Sequence, residues 1–151
     1  MNNDEKYMRL ALEQAHLAYK IGEVPVGAVV VRNGEVVGTG YNRRETDKNA
    51  VAHAELIAID NACKRLGGWR LWECELYVTL EPCPMCAGAI INSRIRRLVY
   101  GASDKKAGSI ESVVKMLELP YNHRPPYLGG VLQEECAEIL KSFFREMRSK
   151  K

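Results

Sequence analysis

Apolar or small residues recur every three to four positions over residues 4–21, at Tyr7/Met8, Ala11/Leu12, Ala15 and Ala18/Tyr19. This spacing predicts an amphipathic helix. The period then changes: residues 26–31 form a β-branched run, Asn33-Gly34 supplies a two-residue turn, and residues 36–41 return, which predicts a β-hairpin. Residues 42–49 are polar and aperiodic and read as a loop. A helix is expected over residues 52–66, stopped by Gly67-Gly68. Beyond it the pattern predicts a strand at 75–80, a helix from Pro82 to about Asn92 and a strand at 97–100. Two strands flanking a helix of that length predict a right-handed crossover and a parallel strand pair. Residues 110–119 read as a short helix, and 120–126 as irregular because Pro125 and Pro126 lack backbone donors. An amphipathic helix over 133–150 closes the chain, with Cys136, Leu140, Phe143, Phe144 and Met147 expected to face the core. Without repeats, low-complexity tracts or linkers, the order predicts one α/β domain over residues 1–151, a mixed sheet with helices on both faces.

Composition narrows this picture. A chain of 151 residues buries roughly 68–70% of the surface its unfolded form exposes, enough for a core without disulfides. The net charge of +3 is spread evenly, seven basic against seven acidic residues in 1–50, six against five in 51–100 and nine against seven in 101–151. No basic arm stands out, and charge alone implies no partner. Five cysteines make an odd count, and no apolar run follows the polar start Met1-Asn2-Asn3-Asp4-Glu5, so a secreted disulfide framework is not expected. Nor is a membrane span, since no uncharged run reaches the ~18 residues needed. A cytoplasmic location is the expectation.

Chemistry concentrates at two helix starts, His53-Ala54-Glu55 and Pro82-Cys83-Pro84-Met85-Cys86. A Cys-x-x-Cys pair on the first turn of a helix places both sulfurs where free N–H groups and the positive dipole end favour thiolates. Such thiolates suit zinc, and His53, Cys83 and Cys86 make three ligands, leaving the fourth tetrahedral position for water. Glu55, not needed as a ligand, is then a candidate general acid/base for a water whose pKa zinc lowers to ~7. Taken alone, Cys-x-x-Cys also fits a thioredoxin-like redox pair. The histidine motif thirty residues upstream is what favours metal. Cys63, Cys74 and Cys136 read as small core residues or inert thiols, and His16 as a structural or surface residue.

His-Ala-Glu followed by Pro-Cys-x-x-Cys resembles the signature of the zinc-dependent nucleoside and nucleobase deaminases. Across nearly the whole chain the sequence is similar to the bacterial tRNA-specific adenosine deaminases, through Gly22-Glu-Val-Pro-Val-Gly-Ala28, Asn42, Trp69-Arg-Leu71, Leu80-Glu-Pro-Cys83, Asn122-His-Arg124 and Phe143-Phe-Arg145. The resemblance implies a three-layer α/β/α cytidine deaminase-like fold around a mixed five-stranded sheet. It implies hydrolytic deamination of adenosine to inosine at the wobble position of a tRNA anticodon loop, by a homodimer carrying one zinc per subunit, with RNA bound across the dimer interface. It assigns His53, Cys83 and Cys86 to zinc, Glu55 to proton transfer and Asn42 to the flipped-out base. The backbone around Val26 and Ala54 falls at the pocket wall. Asp104 falls beside the target nucleotide, and Phe144 and Arg145 on the helix that approaches the anticodon loop. Single-stranded loops are read by splayed bases and aromatic stacking, and residues 141–151 carry five basic residues among two phenylalanines.

Two stretches depart from that pattern. Glu111 stands where a small residue is usual, and its carboxylate would repel RNA phosphates unless it turns away or pairs with Lys105, Lys106 or Lys115. Residues 119–128 are unusually proline-rich. Both lie on the presumed substrate side, which keeps open a deaminase of a free nucleobase or nucleoside (guanine, adenine or cytosine type). A non-catalytic RNA-binding subunit with structural zinc is the third reading.

Overall fold

The first helix, α1 (Asn3–Lys20), starts where Asn2 accepts a hydrogen bond from the Glu5 N–H at 2.8 Å and buries the stripe Tyr7, Met8, Ala11, Leu12, Ala15 and Ala18. The computed structural model describes residues 2–150. Strands β1 (Gly27–Arg32) and β2 (Glu35–Tyr41) follow as an antiparallel hairpin. Asn33 (φ 49°) and Gly34 (φ 80°) both take positive φ, the demand of the type I′ turn that the Asn-Gly pair predicts. After a loop come α2 (Ala54–Leu66), β3 (Cys74–Leu80), α3 (Pro84–Asn92), β4 (Arg97–Ala102), the two-residue β5 (Tyr127–Leu128) and α4 (Gln133–Ser149).

All five strands join one sheet in the order β2-β1-β3-β4-β5. The β1 strand pairs antiparallel to β2 and β3, whereas β3, β4 and β5 run parallel. The α2 and α3 helices pack on one face with Val30, Leu76, Val78 and Leu98, and α1 and α4 on the other with Val29, Val31, Tyr77 and Val99. This is the three-layer α/β/α fold expected, and β3-α3-β4 is the predicted parallel unit. The α2 helix lies unusually close to β2: a Cβ on Gly38 or Gly40 would meet the carbonyl oxygen of Ala58 or Ala54 at 2.4–2.5 Å. Those two glycines set the depth at which the helix bearing Glu55 rests on the sheet.

Three expectations need correction. Residues 110–119 hold only a 3-10 turn at Met116–Glu118. The N–H groups of Ile110, Glu111 and Ser112 all donate to the Glu81 carboxylate, and the next amides miss the i−4 carbonyls a helix needs, Val113 N–H donating to Gly108 and Met116 N–H to Ser109. Of the residues expected to face the core from α4, Phe144 and Met147 are exposed. Ile139 joins Cys136 and Phe143 in the core instead. Finally, α2 begins at Ala54, two residues late, leaving His53 outside the helix as its cap. Lys151, the end of the basic run, lies outside the described residues.

A buried-edge network ties α1 to the sheet. The Arg97 guanidinium donates to both Asp4 oxygens at 2.8 and 2.9 Å and to Glu75 at 3.2 Å, and the Tyr77 hydroxyl donates to Asp4 at 2.8 Å. The hydrogen bond from Arg97, with help from Tyr77 and against desolvation, holds the Asp4 carboxyl below its ordinary value. Its stabilising contribution is therefore full above the unfolded-chain pKa of ~3.9 and is lost as pH falls through the lower folded value. Asp4→Asn is expected to cost about 1–2 kcal/mol at pH 7. The cost should shrink at pH 2–3, which urea unfolding at the two pH values checks; an equal loss at both would contradict the assignment.

Candidate active site

Two helix N-termini on one face of the sheet converge at the C-terminal end of β3. His53 caps α2 in extended conformation (φ −83°, ψ 151°), and its carbonyl accepts the Ile57 N–H. Cys83 caps α3 in the same way (φ −75°, ψ 176°), with Pro84 at the first helical position, where its missing N–H costs nothing. Cys86, one turn on, is fully buried. His53 Nδ1 lies 3.6 Å from the Sγ of Cys83 and 3.6 Å from that of Cys86. All three ligand atoms fall within 4.8 Å of one another, the one such cluster among the described residues.

The donor set can be tested against zinc geometry. Tetrahedral bonds of ~2.3 Å to sulfur and ~2.0–2.1 Å to nitrogen separate the two atoms by about 3.6 Å. The observed spacing matches, so the residues fit such an ion without rearrangement. The three groups differ in their electrostatics, and only Cys83 is drawn toward the ionised form a metal takes. Hydrogen bonding from Cys86, helped by His53 against desolvation, lowers the Cys83 thiol to about 4, and the hydrogen bond to Cys83 in turn raises His53. Cys86 is pushed upward by its bond to Cys83 and by burial. Glu55 is only 4% exposed. Desolvation first, then the Cys83 charge, raises its carboxyl to about 7 against its backbone N–H and His53. A carboxyl poised there exchanges protons readily near neutral pH.

The other expected residues divide. Asn42 is buried at the end of β2; its amide donates to the Val24 carbonyl at 3.1 Å and accepts the Arg44 N–H at 3.1 Å, while its own N–H donates to the Val26 carbonyl. Ala54 is buried and Val26 half-buried. Asp104 accepts the N–H groups of Lys106 and Ala107, closing its own turn. Phe144 and Arg145 are not gathered with the histidine and cysteines. They sit on α4, in the layer across the sheet, where Tyr19 at the last turn of α1 bonds Ser142 at 3.0 Å and meets the Phe143 ring edge-on at 5.5 Å. Arg145 pairs with Glu138 at the surface.

Glu111 is exposed and its carboxylate accepts the Tyr100 hydroxyl; among the described residues no lysine pairs with it. The proline-rich stretch is docked rather than loose: His123 Nε2 meets the Ile95 carbonyl at 2.6 Å, and the Leu98 N–H donates to Pro126.

Two carboxylates escape a reading of the sequence. Glu23, 1% exposed, accepts the N–H groups of Glu45 and Thr46 and so ties down the loop after Asn42. Glu81, 2% exposed, accepts from Asp104, Ile110, Glu111 and Ser112. Burial opposes ionisation of both, yet hydroxyl and backbone donors outweigh it and hold each below the ordinary carboxylate range. The available signal was an acid placed one or two residues before a proline among apolar residues.

A mixed sheet whose helix N-termini present one imidazole and two thiols beside a buried carboxyl defines a deaminase of the cytidine deaminase-like fold. The MafB19-like deaminase profile matches residues 2–148. The chain is 51% identical over 152 residues to the tRNA-specific adenosine deaminase of Bacillus subtilis strain 168, covering 100% of this chain and 94% of that protein. A solved structure from studies of A-to-I editing by tRNA:A34 deaminases at the wobble position superposes with a TM-score of 0.87 at 47% identity, covering 89% of this chain and 99% of the other. The guanine deaminase structure from Bacillus subtilis is more distant, with a TM-score of 0.66 at 31% identity over 99% and 95% of the two chains. This chain belongs to the tRNA-specific adenosine deaminase family.

Proposed function

We propose that the protein converts adenosine at position 34 of a tRNA anticodon loop to inosine, with water as co-substrate and ammonia as the second product. The pairing of a His53–Cys83–Cys86 cluster with a buried Glu55 carries the deamination chemistry, and the 51% identity over the whole chain to a tRNA-specific adenosine deaminase supports the RNA substrate. His53, Cys83 and Cys86 hold one zinc per subunit, and residues 1–151 act as a single deaminase domain. Bound zinc supplies a Lewis acid that makes water nucleophilic at neutral pH. Glu55 takes the proton released as water adds to C6 of the purine and delivers it to N1; it then takes the proton of the new C6 hydroxyl and passes it to the departing amino group, so adenosine plus water become inosine plus ammonia. Asn42, its orientation fixed by Val24 and Arg44, keeps one N–H and one lone pair for the base edge. The backbone at Val26 and Ala54 closes the pocket wall.

Asp104, Phe144 and Arg145 contact the anticodon loop around the target. Their placement supports this: the second half of α4 lies beside the last turn of α1, which leads directly into the Val24–Val26 segment. RNA then meets an exposed aromatic ring and a guanidinium on its way to the pocket. The protein works as a homodimer; the exposed apolar side chains of Val113, Leu119 and Tyr121 offer a face for the second copy. No described helix is long and apolar enough to cross a membrane, and a tRNA substrate fits a cytoplasmic location.

The structural likeness to guanine deaminase supplies the second reading, a free nucleobase as substrate. Ammonia release separates the two. The zinc-loaded protein is expected to release ammonia from an anticodon stem-loop bearing adenosine at position 34 and none from guanine, adenine, adenosine or cytosine. Release from the small molecules alone would replace the RNA reading.

A further inference from the structure

Glu81 lies two residues before Cys83, yet the chemistry above gives it no task. It is a fully enclosed carboxylate with no cationic partner among the described residues, and every acceptor site it offers faces one loop. Oε1 receives the Asp104 N–H at 3.0 Å and the Ser112 hydroxyl; Oε2 receives the N–H groups of Ile110, Glu111 and Ser112 at 3.2, 2.8 and 2.9 Å. Two backbone bonds stitch the same strip together, Glu81 N–H to the Ala102 carbonyl and Ser109 N–H to the Pro82 carbonyl, both 2.8 Å. Gly108 completes the fit, because a Cβ there would fall 2.4 Å from the Glu81 carboxyl carbon.

A buried ionised carboxylate survives only when its lone pairs are filled, and here a single peptide loop fills them. The loop in turn has no regular structure of its own between Asp104 and the turn at Met116–Glu118. Within the loop, the Asp104 side chain and backbone close a turn over Lys106–Gly108, and Val113 and Met116 bond back to Gly108 and Ser109; the Glu81 side chain and the two stitching bonds fix that turn against the end of β3. One end of Glu81 is thus covalently continuous with the cysteine that opens α3, and the other fixes where Asp104 stands.

We infer that Glu81 is a positioning residue for substrate recognition, which locks the 104–112 loop in register with the metal-ligand segment so that Asp104 meets the RNA beside the target nucleotide. This rests on the RNA deaminase reading for its functional part. The locking itself does not.

Glu81→Gln keeps size and separates the two oxygens chemically. Three N–H groups converge on Oε2, so the amide oxygen is held there and the amide NH2 is left facing the Asp104 N–H. The Ser112 hydroxyl, which also faces that position, can rotate to accept from the NH2, so donor opposes donor only at the Asp104 N–H. In the zinc-loaded protein, hydrogen exchange at the Asp104 amide is expected to quicken at least about tenfold while Ile110, Glu111 and Ser112 keep most of their protection. With an anticodon stem-loop, KM should rise about tenfold with kcat changed less than about threefold. Metal content should match the parent. Ser112→Ala, at an exposed position, removes the hydroxyl donor on Oε1 and should show the same pattern at about threefold. It decides the matter if Glu81→Gln fails to fold. Unchanged exchange at Asp104 in the folded variant would overturn the inference, as would a loss of kcat and metal with KM untouched. If the parent protein deaminates no RNA, the functional reading fails while the exchange data still decide whether Glu81 holds the loop.

Discussion

Glu55→Gln is expected to lower deamination by about 10²–10⁴-fold while leaving metal content unchanged. The glutamine fills the same buried volume and still accepts a hydrogen bond, but it takes up and gives back no proton. Both proton transfers of the reaction fail together. Because the carboxyl is raised to about 7 chiefly by burial, replacing it with a neutral amide removes a desolvation cost. The thermal midpoint of the variant should therefore equal or exceed that of the parent. Metal analysis, thermal unfolding and single-turnover kinetics on one preparation check the three statements. A variant that loses its metal along with its activity would show that Glu55 acts as a ligand and not as the proton carrier.

Cys86→Ala has the opposite signature. Its sulfur is fully buried and is one of three donors grouped within 4.8 Å. Without it two ligands remain, too few for a tetrahedral zinc site. The variant should hold little metal and show no turnover. Since an ion that binds only the native state adds about 2.7 kcal/mol at a hundredfold excess over its dissociation constant, a chelator should lower the unfolding midpoint of the parent and leave that of Cys86→Ala where it was. Equal chelator sensitivity in both would mean that the stabilising ion is held elsewhere.

The legible parts of this molecule are those where one local rule decides. Asn33-Gly34 announces its turn because few other pairs tolerate positive φ twice, and the stripe from Tyr7 to Ala18 announces a helix by spacing alone. His53, Cys83 and Cys86 were legible because metal ligation demands particular side chains at helix starts. What stayed hidden depends on partners distant in sequence. The two-residue strand Tyr127–Leu128 exists through β4 and was implied only by the family likeness. The stretch expected to be a helix over 110–119 is gathered instead around the Glu81 carboxylate, some thirty residues earlier, and its later amides bond back to Gly108 and Ser109 rather than along a helix. Phe144 follows the apolar pattern of α4, yet Ile139 and Phe143 take the buried positions of that helix, leaving the Phe144 ring exposed at the edge of Phe143. Glu111, an unexpected acid in the sequence pattern, has its carboxylate held by the Tyr100 hydroxyl of β4, a partner eleven residues earlier.

The most direct test of the proposed activity is the position of the product. A full-length tRNA transcript with adenosine at position 34 is incubated with the zinc-loaded protein, and inosine is mapped by sequencing and by mass analysis of nuclease fragments. The expected result is inosine at position 34 and at no other adenosine, absent when Glu55→Gln replaces the parent protein. Inosine scattered among unpaired adenosines, or none at enzyme excess while a free base is deaminated, would contradict a wobble-position deaminase.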